Sequence, residues 1–189
     1  AVAPLSLIPG VEVVALCDFV KERAEKQNER LRKNGLAPAA VYYGEKGYEE
    51  LCKRPDIDLV YIATDWEHHA IVAKCALENG KNVADEVPSA MNLKECWELV
   101  DLAEQKQLNC MILENCCYDW FEMRTLNMAQ AGVFGEILRA QGAYIHNLDD
   151  FWDYYWKNPN GSDPEQLGWR LKYNRENRGD IYATHGLGP

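Results

Sequence analysis

Short apolar runs and charged, amphipathic segments alternate along the chain up to about Glu114. A strand buried on both faces reads as a continuous apolar run, whereas a helix with one buried face shows apolar positions every three or four residues. The pattern therefore predicts five strands, at 11–18, 40–43, 57–64, 81–86 and 109–115. Helices are predicted after the first four of these strands, at 19–35, 47–54, 67–80 and 92–107.

The ends of several predicted helices carry residues that ordinarily stop a helix. Gly35 and Gly80 follow the last apolar positions of their segments, and Pro55 follows a third helix. Strands that alternate with helices at this rhythm form right-handed strand–helix–strand units. The predicted fold class is therefore α/β, with a Rossmann-type doubly wound parallel sheet.

The alternation changes after Glu114. A helix is predicted at 118–132, and a strand with one exposed face is predicted at 135–148, where apolar and polar residues alternate. We place the domain boundary between Asn115 and Gly132. Residues 1–117 are expected to form the dinucleotide-binding domain, and residues 118–189 are expected to begin an α+β substrate domain.

Composition narrows the class of protein without identifying it. Of the 189 residues, 47% are apolar and 26% are charged, and the net charge is −10. This acidic balance argues against a nucleic-acid binder and against docking on anionic lipid. No apolar run approaches the ~20 residues of a membrane-spanning helix. The seven cysteines show no C-x-x-C spacing, so no metal site is predicted, and most are interpreted as reduced, buried thiols.

Asp18 ends the first predicted strand and directly precedes a helix. In dinucleotide-binding folds an acid at this place accepts hydrogen bonds from the adenosine ribose hydroxyls, and its charge disfavours a 2′-phosphate. An acid before a helix also serves as a helix cap, so both interpretations stay open. A glycine-rich turn should lie ~20 residues earlier, yet Gly10 is the sole glycine before Asp18. We therefore expect the first strand and its glycine-rich loop to precede Ala1.

The segment VADEVPSAMN, residues 83–92, joins a strand end to a helix that begins at Ser89 or Asn92. Loops that leave the carboxyl ends of parallel strands are where α/β proteins bind ligands. With the preceding YIATDWEHHAIVAKCALENGKN, this segment resembles the Gfo/Idh/MocA oxidoreductase family, whose pattern runs roughly A-T-P-x-x-x-H, A-L-x-x-G-K-x-V and E-K-P. The matching residues are Ala63, Thr64, His69, Ala76, Leu77, Gly80, Lys81, Val83, Glu86 and Pro88.

Two departures from this pattern point to one branch of the family. Asp65 replaces the usual proline. Val87 replaces the lysine that, in the sugar dehydrogenases of the family, bridges the cofactor and the substrate hydroxyl. A cation there assists deprotonation of an alcohol before hydride transfer, which valine cannot do. With DWEHH, LENCCYDWFEMRTLNM and NRGDIYATHGLGP, the chain resembles the NAD-dependent α-N-acetylgalactosaminidases of glycoside hydrolase family 109.

That resemblance implies NAD as the cofactor and hydrolysis as the net reaction. In this branch the sugar C3 hydroxyl is transiently oxidised, the ketone acidifies the C2 proton, and the aglycone leaves by elimination. Water then adds and the hydride returns, so NAD is not consumed, and the two-carboxylate rule of most glycosidases does not apply. Net oxidation of a sugar or cyclitol is the alternative, and a cofactor-binding or inert protein is a third hypothesis.

The resemblance also assigns candidate site residues, position by position. Tyr144 and His146 lie two residues apart on a predicted strand and therefore share one face. The catalytic candidates are Tyr144, His146, Tyr182, His185 and, as a weaker candidate, Glu114. The cofactor would be bound by Asp18, Thr64, Trp66, Glu67, His68, His69, Glu86, Val87 and Asn115. The substrate would contact Tyr144, Arg170, Tyr182, Ala183, Thr184 and His185.

Several of these residues also have ordinary structural interpretations, which stay open. His68 and His69 would suit a solvated helix start, and Tyr144 and His146 would suit any exposed strand. The aromatic stripe between 151 and 156 would suit a sugar-stacking platform, a hydrophobic lid or an oligomer contact.

The expected partner is a small glycoside, with no nucleic acid and no membrane-spanning segment. Members of the family are often dimeric and exported, so a homodimer through the substrate domain is one expectation. The compartment stays open between the cytoplasm and the periplasm, depending on whether a leader precedes Ala1.

Overall fold

Strands and helices alternate in the computed structural model, which describes residues 8–114 and 117–141. All nine elements predicted in the first domain are present. The first strand begins at Ala15 rather than Val11, because its hydrogen-bonded ladder starts at the pair Ala15 and Ala40. The elements are β1 (Ala15–Asp18), α1 (Lys21–Lys33), β2 (Ala40–Tyr43), α2 (Gly47–Cys52), β3 (Leu59–Ile62), α3 (Trp66–Glu78), β4 (Asn82–Asp85), α4 (Leu93–Lys106), β5 (Cys110–Ile112) and α5 (Trp120–Gln130).

Every strand pairing in the described residues is parallel, which confirms the predicted α/β class. The strands form two ladders, β1–β2 and β3–β4–β5. In the second ladder Ile62 lies opposite Asp85, and Asp85 lies opposite Ile112. Within residues 8–114, β1 and β3 each have a strand neighbour on one side only. The described strands therefore do not form one continuous sheet, and the expected additional strand stays a prediction.

The core of the first unit packs α3 against β3 and β4. Ala70, Ala73 and Ala76 recur every three residues along α3 and are buried, so a small side chain lets the helix lie close to the strands. Ile62, Leu77 and Val83 are almost completely buried beside them. Burial of each such side chain contributes about 1.5–3 kcal/mol. This packing fixes α3 relative to the carboxyl ends of β3 and β4.

A buried asparagine joins α1 to the beginning of β2. The Asn28 side chain donates through Nδ2 to the Ala39 carbonyl at 2.8 Å, and its Oδ1 accepts from the Ala39 N–H at 2.8 Å. Both backbone groups of Ala39 are thereby satisfied away from water, as buried polar groups require.

Residues Ala1–Ile112 and Leu113–Pro189 form two separate compact units. In the second unit, α5 confirms the helix predicted at 118–132 and ends before Gly132, which has a φ of 71°. The strand prediction is wrong for residues 135–141. These residues are exposed and adopt no strand in the part of the chain that the structure describes. Residues 142–148, the rest of that predicted strand, lie outside the described residues.

Candidate functional site

Three connections in the first unit leave the carboxyl ends of parallel strands. The first follows Asp18, the last residue of β1, and the others comprise residues 63–65 between β3 and α3 and residues 86–89 after β4. The rings of Phe19 and His68 are in edge-on contact, with centroids 4.7 Å apart and planes at 63°. This contact brings the connection after β1 beside the start of α3. The residues predicted to bind the cofactor from these three connections therefore lie at one edge of the fold.

Asp18 organises the turn between β1 and α1. Its Oδ1 accepts from the Val20 N–H at 2.9 Å, and α1 itself has no side-chain cap at its start. The carboxylate has no second hydrogen bond among the described residues, so Oδ2 keeps its capacity to accept from a ligand. Asp18 is therefore not the N-cap of the helix, and its predicted contact with ribose hydroxyls stays a prediction.

Asp65, the residue that replaces the family proline, is the N-cap of α3. Its Oδ1 accepts from the His68 N–H at 3.1 Å and lies 2.5 Å from Nδ1 of the His68 ring. Its φ of −74° and ψ of 163° are the extended values of an N-cap residue. One carboxylate thus fixes both the helix start and the orientation of a ring predicted to line the cofactor.

We expect Asp65→Ala to destabilise the protein by about 1 kcal/mol, because the first turn of α3 would lose its cap. Urea unfolding of the full-length protein measures this change. Asp65→Asn is the matched control, since its amide oxygen still accepts from the His68 N–H. An equal loss of stability in both variants would contradict the capping role and would attribute the effect to the carboxylate charge.

His69 lies beneath this edge rather than on its surface. Its side chain is 2% exposed, Nδ1 lies 2.8 Å from the Pro88 carbonyl oxygen, and Nε2 lies 3.2 Å from the Thr64 carbonyl oxygen. The ring therefore joins the connection after β3 to the connection after β4. A solvated helix start is the wrong interpretation for His69, although direct contact with a cofactor stays a prediction.

The 86–88 loop is held by contacts on both sides. Tyr61, on β3, donates its hydroxyl to the carboxylate of Glu86. Burial first, and then Glu86, raise the pKa of the Tyr61 hydroxyl, which keeps this donor protonated. Val87 is only 8% exposed, and the Val87–Pro88 peptide bond is cis. The predicted start of the next helix at Asn92 is confirmed, because its Oδ1 accepts from the Glu95 N–H at 3.0 Å.

Asp85 is a buried acid at this edge that the sequence interpretation missed. It ends β4 with 0% exposure, and its Oδ1 lies 3.4 Å from Nδ1 of His69. Both carboxylate oxygens are buried, and within the described residues neither makes a hydrogen bond of good geometry. Burial is the main cause that raises the pKa of Asp85 to about 8, with the charge of Glu86 adding to it and the nearby Ser89 side chain opposing it. The sequence feature that could have identified Asp85 is its place, as an acid, at the end of a strand predicted to be buried.

The other predicted cofactor residues in the first unit lie at the start of α3. Trp66 is buried, Glu67 is exposed, and the Thr64 hydroxyl donates to the Asp65 carbonyl at 3.0 Å. Glu114 follows β5 by two residues and belongs to the second unit. The remaining predicted residues lie outside the described residues, and their roles stay predictions. They are Asn115, Tyr144, His146, Arg170, Tyr182, Ala183, Thr184 and His185.

Six cysteines fall within the described residues, and all six are free thiols. Cys52 is fully buried, and burial raises its pKa to about 12, which makes it an unreactive thiol. Of these six thiols Cys52 alone is buried, three are half-buried, and Cys17 and Cys96 are exposed, so the expectation that most cysteines are buried is wrong for this part of the chain. No helix within residues 8–114 and 117–141 is long and apolar enough to cross a membrane.

The strands are parallel, and Asp18, His69 and the 86–88 loop lie at their carboxyl ends. This arrangement is that of a dinucleotide-binding protein of the Rossmann class. Residues 2–114 match the GFO_IDH_MocA family, described as an oxidoreductase family with an NAD-binding Rossmann fold. The chain belongs to this Gfo/Idh/MocA family, which confirms the resemblance and the NAD-binding domain. Residues 118–189 match the C-terminal domain of glycosyl hydrolase 109.

Curated relatives match the chain along its whole length. A glycosyl hydrolase family 109 protein of Phocaeicola vulgatus is 68% identical over 189 residues, covering 100% of this chain and 36% of that protein. One from Porphyromonas gingivalis is 56% identical over 190 residues, covering 100% of this chain and 38% of that protein. The chain thus spans little more than a third of the length of these relatives.

Solved structures show the same fold in the first domain. KijD10, a 3-ketoreductase from Actinomadura kijaniata solved in complex with NADP and TDP-benzene, has a TM-score of 0.61 and 27% identity. That match covers 72% of this chain and 39% of KijD10. A probable dehydrogenase from Thermotoga maritima, with a TM-score of 0.61 and 19% identity over 71% of this chain and 38% of its own, shows the fold alone.

Proposed function

We propose that the full-length protein carrying this chain is an NAD-dependent glycosidase that hydrolyses α-N-acetylgalactosaminides. The match to glycosyl hydrolase family 109 over both domains supports this class of enzyme. The observation that carries the proposal is Val87, a buried apolar side chain in the loop where a sugar dehydrogenase of the family would have lysine. Without that cation the loop lacks the group that favours net oxidation of an alcohol.

The residues at the carboxyl edge fit NAD. Asp18 offers a carboxylate oxygen at the end of β1, where the adenosine ribose of a dinucleotide lies in this fold class. The start of α3 and the 86–88 loop follow the two adjacent strands β3 and β4, at the edge where the nicotinamide half would bind. Bound NAD would accept the hydride from the sugar C3 position and later return it.

The remaining chemistry is proton transfer, and the chain supplies Tyr and His for it. One group must remove the C2 proton of the oxidised sugar, and another must protonate the departing glycosidic oxygen. Tyr144, His146, Tyr182 and His185 are the proposed proton carriers, with Glu114 as a further acid. Arg170, Ala183 and Thr184 are proposed to orient the sugar. We leave the division of base roles among Tyr144, His146 and His185 open.

The second candidate function is net oxidation or reduction of a sugar or cyclitol. The similarity to KijD10, a 3-ketoreductase at 27% identity, favours it. The two functions differ in their redox balance, because hydrolysis regenerates NAD in each turnover whereas net oxidation produces one NADH per product.

The decisive experiment incubates the full-length protein and NAD with 4-nitrophenyl α-N-acetylgalactosaminide between about pH 6 and 8, the range in which His titrates. We expect steady nitrophenol release without accumulation of NADH. Tyr144→Phe should reduce that release about a hundredfold, as loss of a proton carrier does. The absence of release over the whole pH range would overturn the proposal, and stoichiometric NADH formation with a free sugar would favour the oxidoreductase.

A further inference from the structure

A tyrosine of β3 and the acid that follows β4 meet on one face of the ladder between these strands. Tyr61 lies opposite Ala84 in the parallel register, and Glu86 comes two residues after Ala84, so the three share one face. The alternate residues, Ile62 and Asp85, are almost completely buried on the other face. The small Ala84 side chain stands between the other two, and the Tyr61 hydroxyl donates to Oε1 of Glu86.

Two hydrogen bonds to β3 hold Glu86. Its N–H donates to the Ile62 carbonyl at 3.0 Å, which continues the ladder past the end of β4. Its carboxylate accepts from the Tyr61 hydroxyl. A glutamate side chain has several rotatable bonds, so fixing it costs conformational entropy. The same strand therefore orders both the backbone and the carboxylate of Glu86.

The second carboxylate oxygen of Glu86 is available to a ligand. Within residues 8–114 and 117–141, the hydrogen bonds to this carboxylate engage Oε1, so Oε2 keeps its capacity to accept. Glu86 is half-buried and lies at the carboxyl end of β4, where dinucleotides bind in this fold class. Burial first, and then Glu86, raise the pKa of Tyr61, so its hydroxyl is a fixed donor near neutral pH rather than a proton carrier.

We propose that Tyr61 is a positioning residue for cofactor binding, which holds the Glu86 carboxylate so that Oε2 accepts from a ribose hydroxyl of the nicotinamide half of NAD. Tyr61 is not among the residues predicted to bind the cofactor, and it acts only through Glu86. Asp18 and Glu86 follow strands of different ladders, so the two carboxylates would serve opposite halves of the cofactor. The inference rests on NAD binding at this edge and not on which reaction follows.

The test is the affinity of the full-length protein, freed of bound nucleotide, for NAD and for ADP, measured by isothermal titration. Tyr61→Phe keeps the ring and removes the hydroxyl. It should weaken NAD binding about fivefold, because the Glu86 side chain must then be ordered during binding. ADP carries only the adenosine half and should bind unchanged. Tyr118→Phe, the same substitution at an exposed side chain, should change neither affinity.

A double-mutant cycle separates positioning from a general structural role of the tyrosine. Glu86→Ala should lower the NAD affinity at least as much as Tyr61→Phe does, and in that background Tyr61→Phe should have no further effect. Equal losses with and without the Glu86 carboxylate would contradict the proposal. An equal loss of ADP affinity in Tyr61→Phe would contradict it too, because the hydroxyl would then support the fold as a whole.

Glu86→Gln provides a second test that retains an acceptor for the Tyr61 hydroxyl. The amide has only one oxygen, so when that oxygen accepts from Tyr61, an N–H takes the place of Oε2 and the charge is lost. NAD affinity should then fall about tenfold. Binding as tight as in the unsubstituted protein would overturn the proposal, even if Tyr61→Phe does not fold. These titrations need no glycosidase turnover, so a failure of the proposed hydrolysis is distinguishable from a failure of this inference.

Discussion

Asp18→Ala in the full-length protein should weaken NAD binding about 10- to 100-fold, because a ribose hydroxyl would lose a charged acceptor. The carboxylate lies at the carboxyl end of β1, and one of its oxygens has no hydrogen bond among the described residues. Loss of the charge should also narrow the preference for NAD over NADP, since repulsion of a 2′-phosphate disappears. Isothermal titration with each dinucleotide measures both effects.

The control must separate the ribose contact from the turn that Asp18 organises. Asp18→Asn retains an oxygen that accepts from the Val20 N–H and removes only the charge. It should therefore preserve the thermal stability of the protein while losing part of the NAD affinity and part of the NAD preference. An Asp18→Ala protein that binds NAD as tightly as the unsubstituted protein would show that Asp18 serves only the turn between β1 and α1.

The helices and strands of the first unit were predictable because their buried positions carry apolar residues at regular spacing along the sequence. Val60, Ile62 and Val83 are buried in apolar runs, whereas Leu59 in the same run is 52% exposed, so one face of these strands is covered more fully than the other. Gly80 adopts a φ of 75° just after α3, which is why a glycine stood at the end of that pattern. Residues 135–141 also alternate, but alternation does not make a strand unless a neighbouring strand accepts its hydrogen bonds.

The sequence predicted which residues lie at the site better than it predicted what their side chains contact. Asp18, His68 and Glu86 lie at one edge; the resemblance named His68 and Glu86, and the position of Asp18 at the end of a predicted strand named the third. The resemblance did not reveal that His69 is buried against two carbonyl oxygens, because only the tertiary fold sets the environment of a ring. Asp85 was missed for the same reason, since its place at the end of a short apolar run does not show that its carboxylate is buried beside the His69 ring.

Asp65, which replaces the family proline, illustrates the difference between predicting a residue's position and predicting its contacts. From the sequence it was only a departure from the family pattern. In the structure it is an N-cap whose carboxylate reaches both the His68 N–H and the His68 ring. Residues that deviate from a pattern therefore carry information when their new chemistry satisfies groups that the usual residue would leave unpaired.

Val87→Lys should lower the turnover of the proposed hydrolysis about a hundredfold while leaving the NAD dissociation constant nearly unchanged. Val87 is 8% exposed in a loop whose flanking residues, Glu86 and Pro88, are held by Tyr61 and His69. An unpaired ammonium is too costly to bury, so the lysine side chain must extend from the loop toward the carboxyl edge. A cation there lowers the pKa of nearby proton acceptors, and the removal of the C2 proton slows accordingly.

The matched variant is Val87→Met, which reaches nearly as far as lysine and carries no charge. Steady-state nitrophenol release and the absorbance of NADH, recorded together, distinguish the two variants. Methionine should retain most of the turnover because the loop keeps an apolar side chain. Lysine should lose it and, with a free sugar, should form detectable NADH, because the cation stabilises the alkoxide that precedes hydride transfer. Equal turnover in both variants would show that the charge at position 87 does not select between hydrolysis and net oxidation.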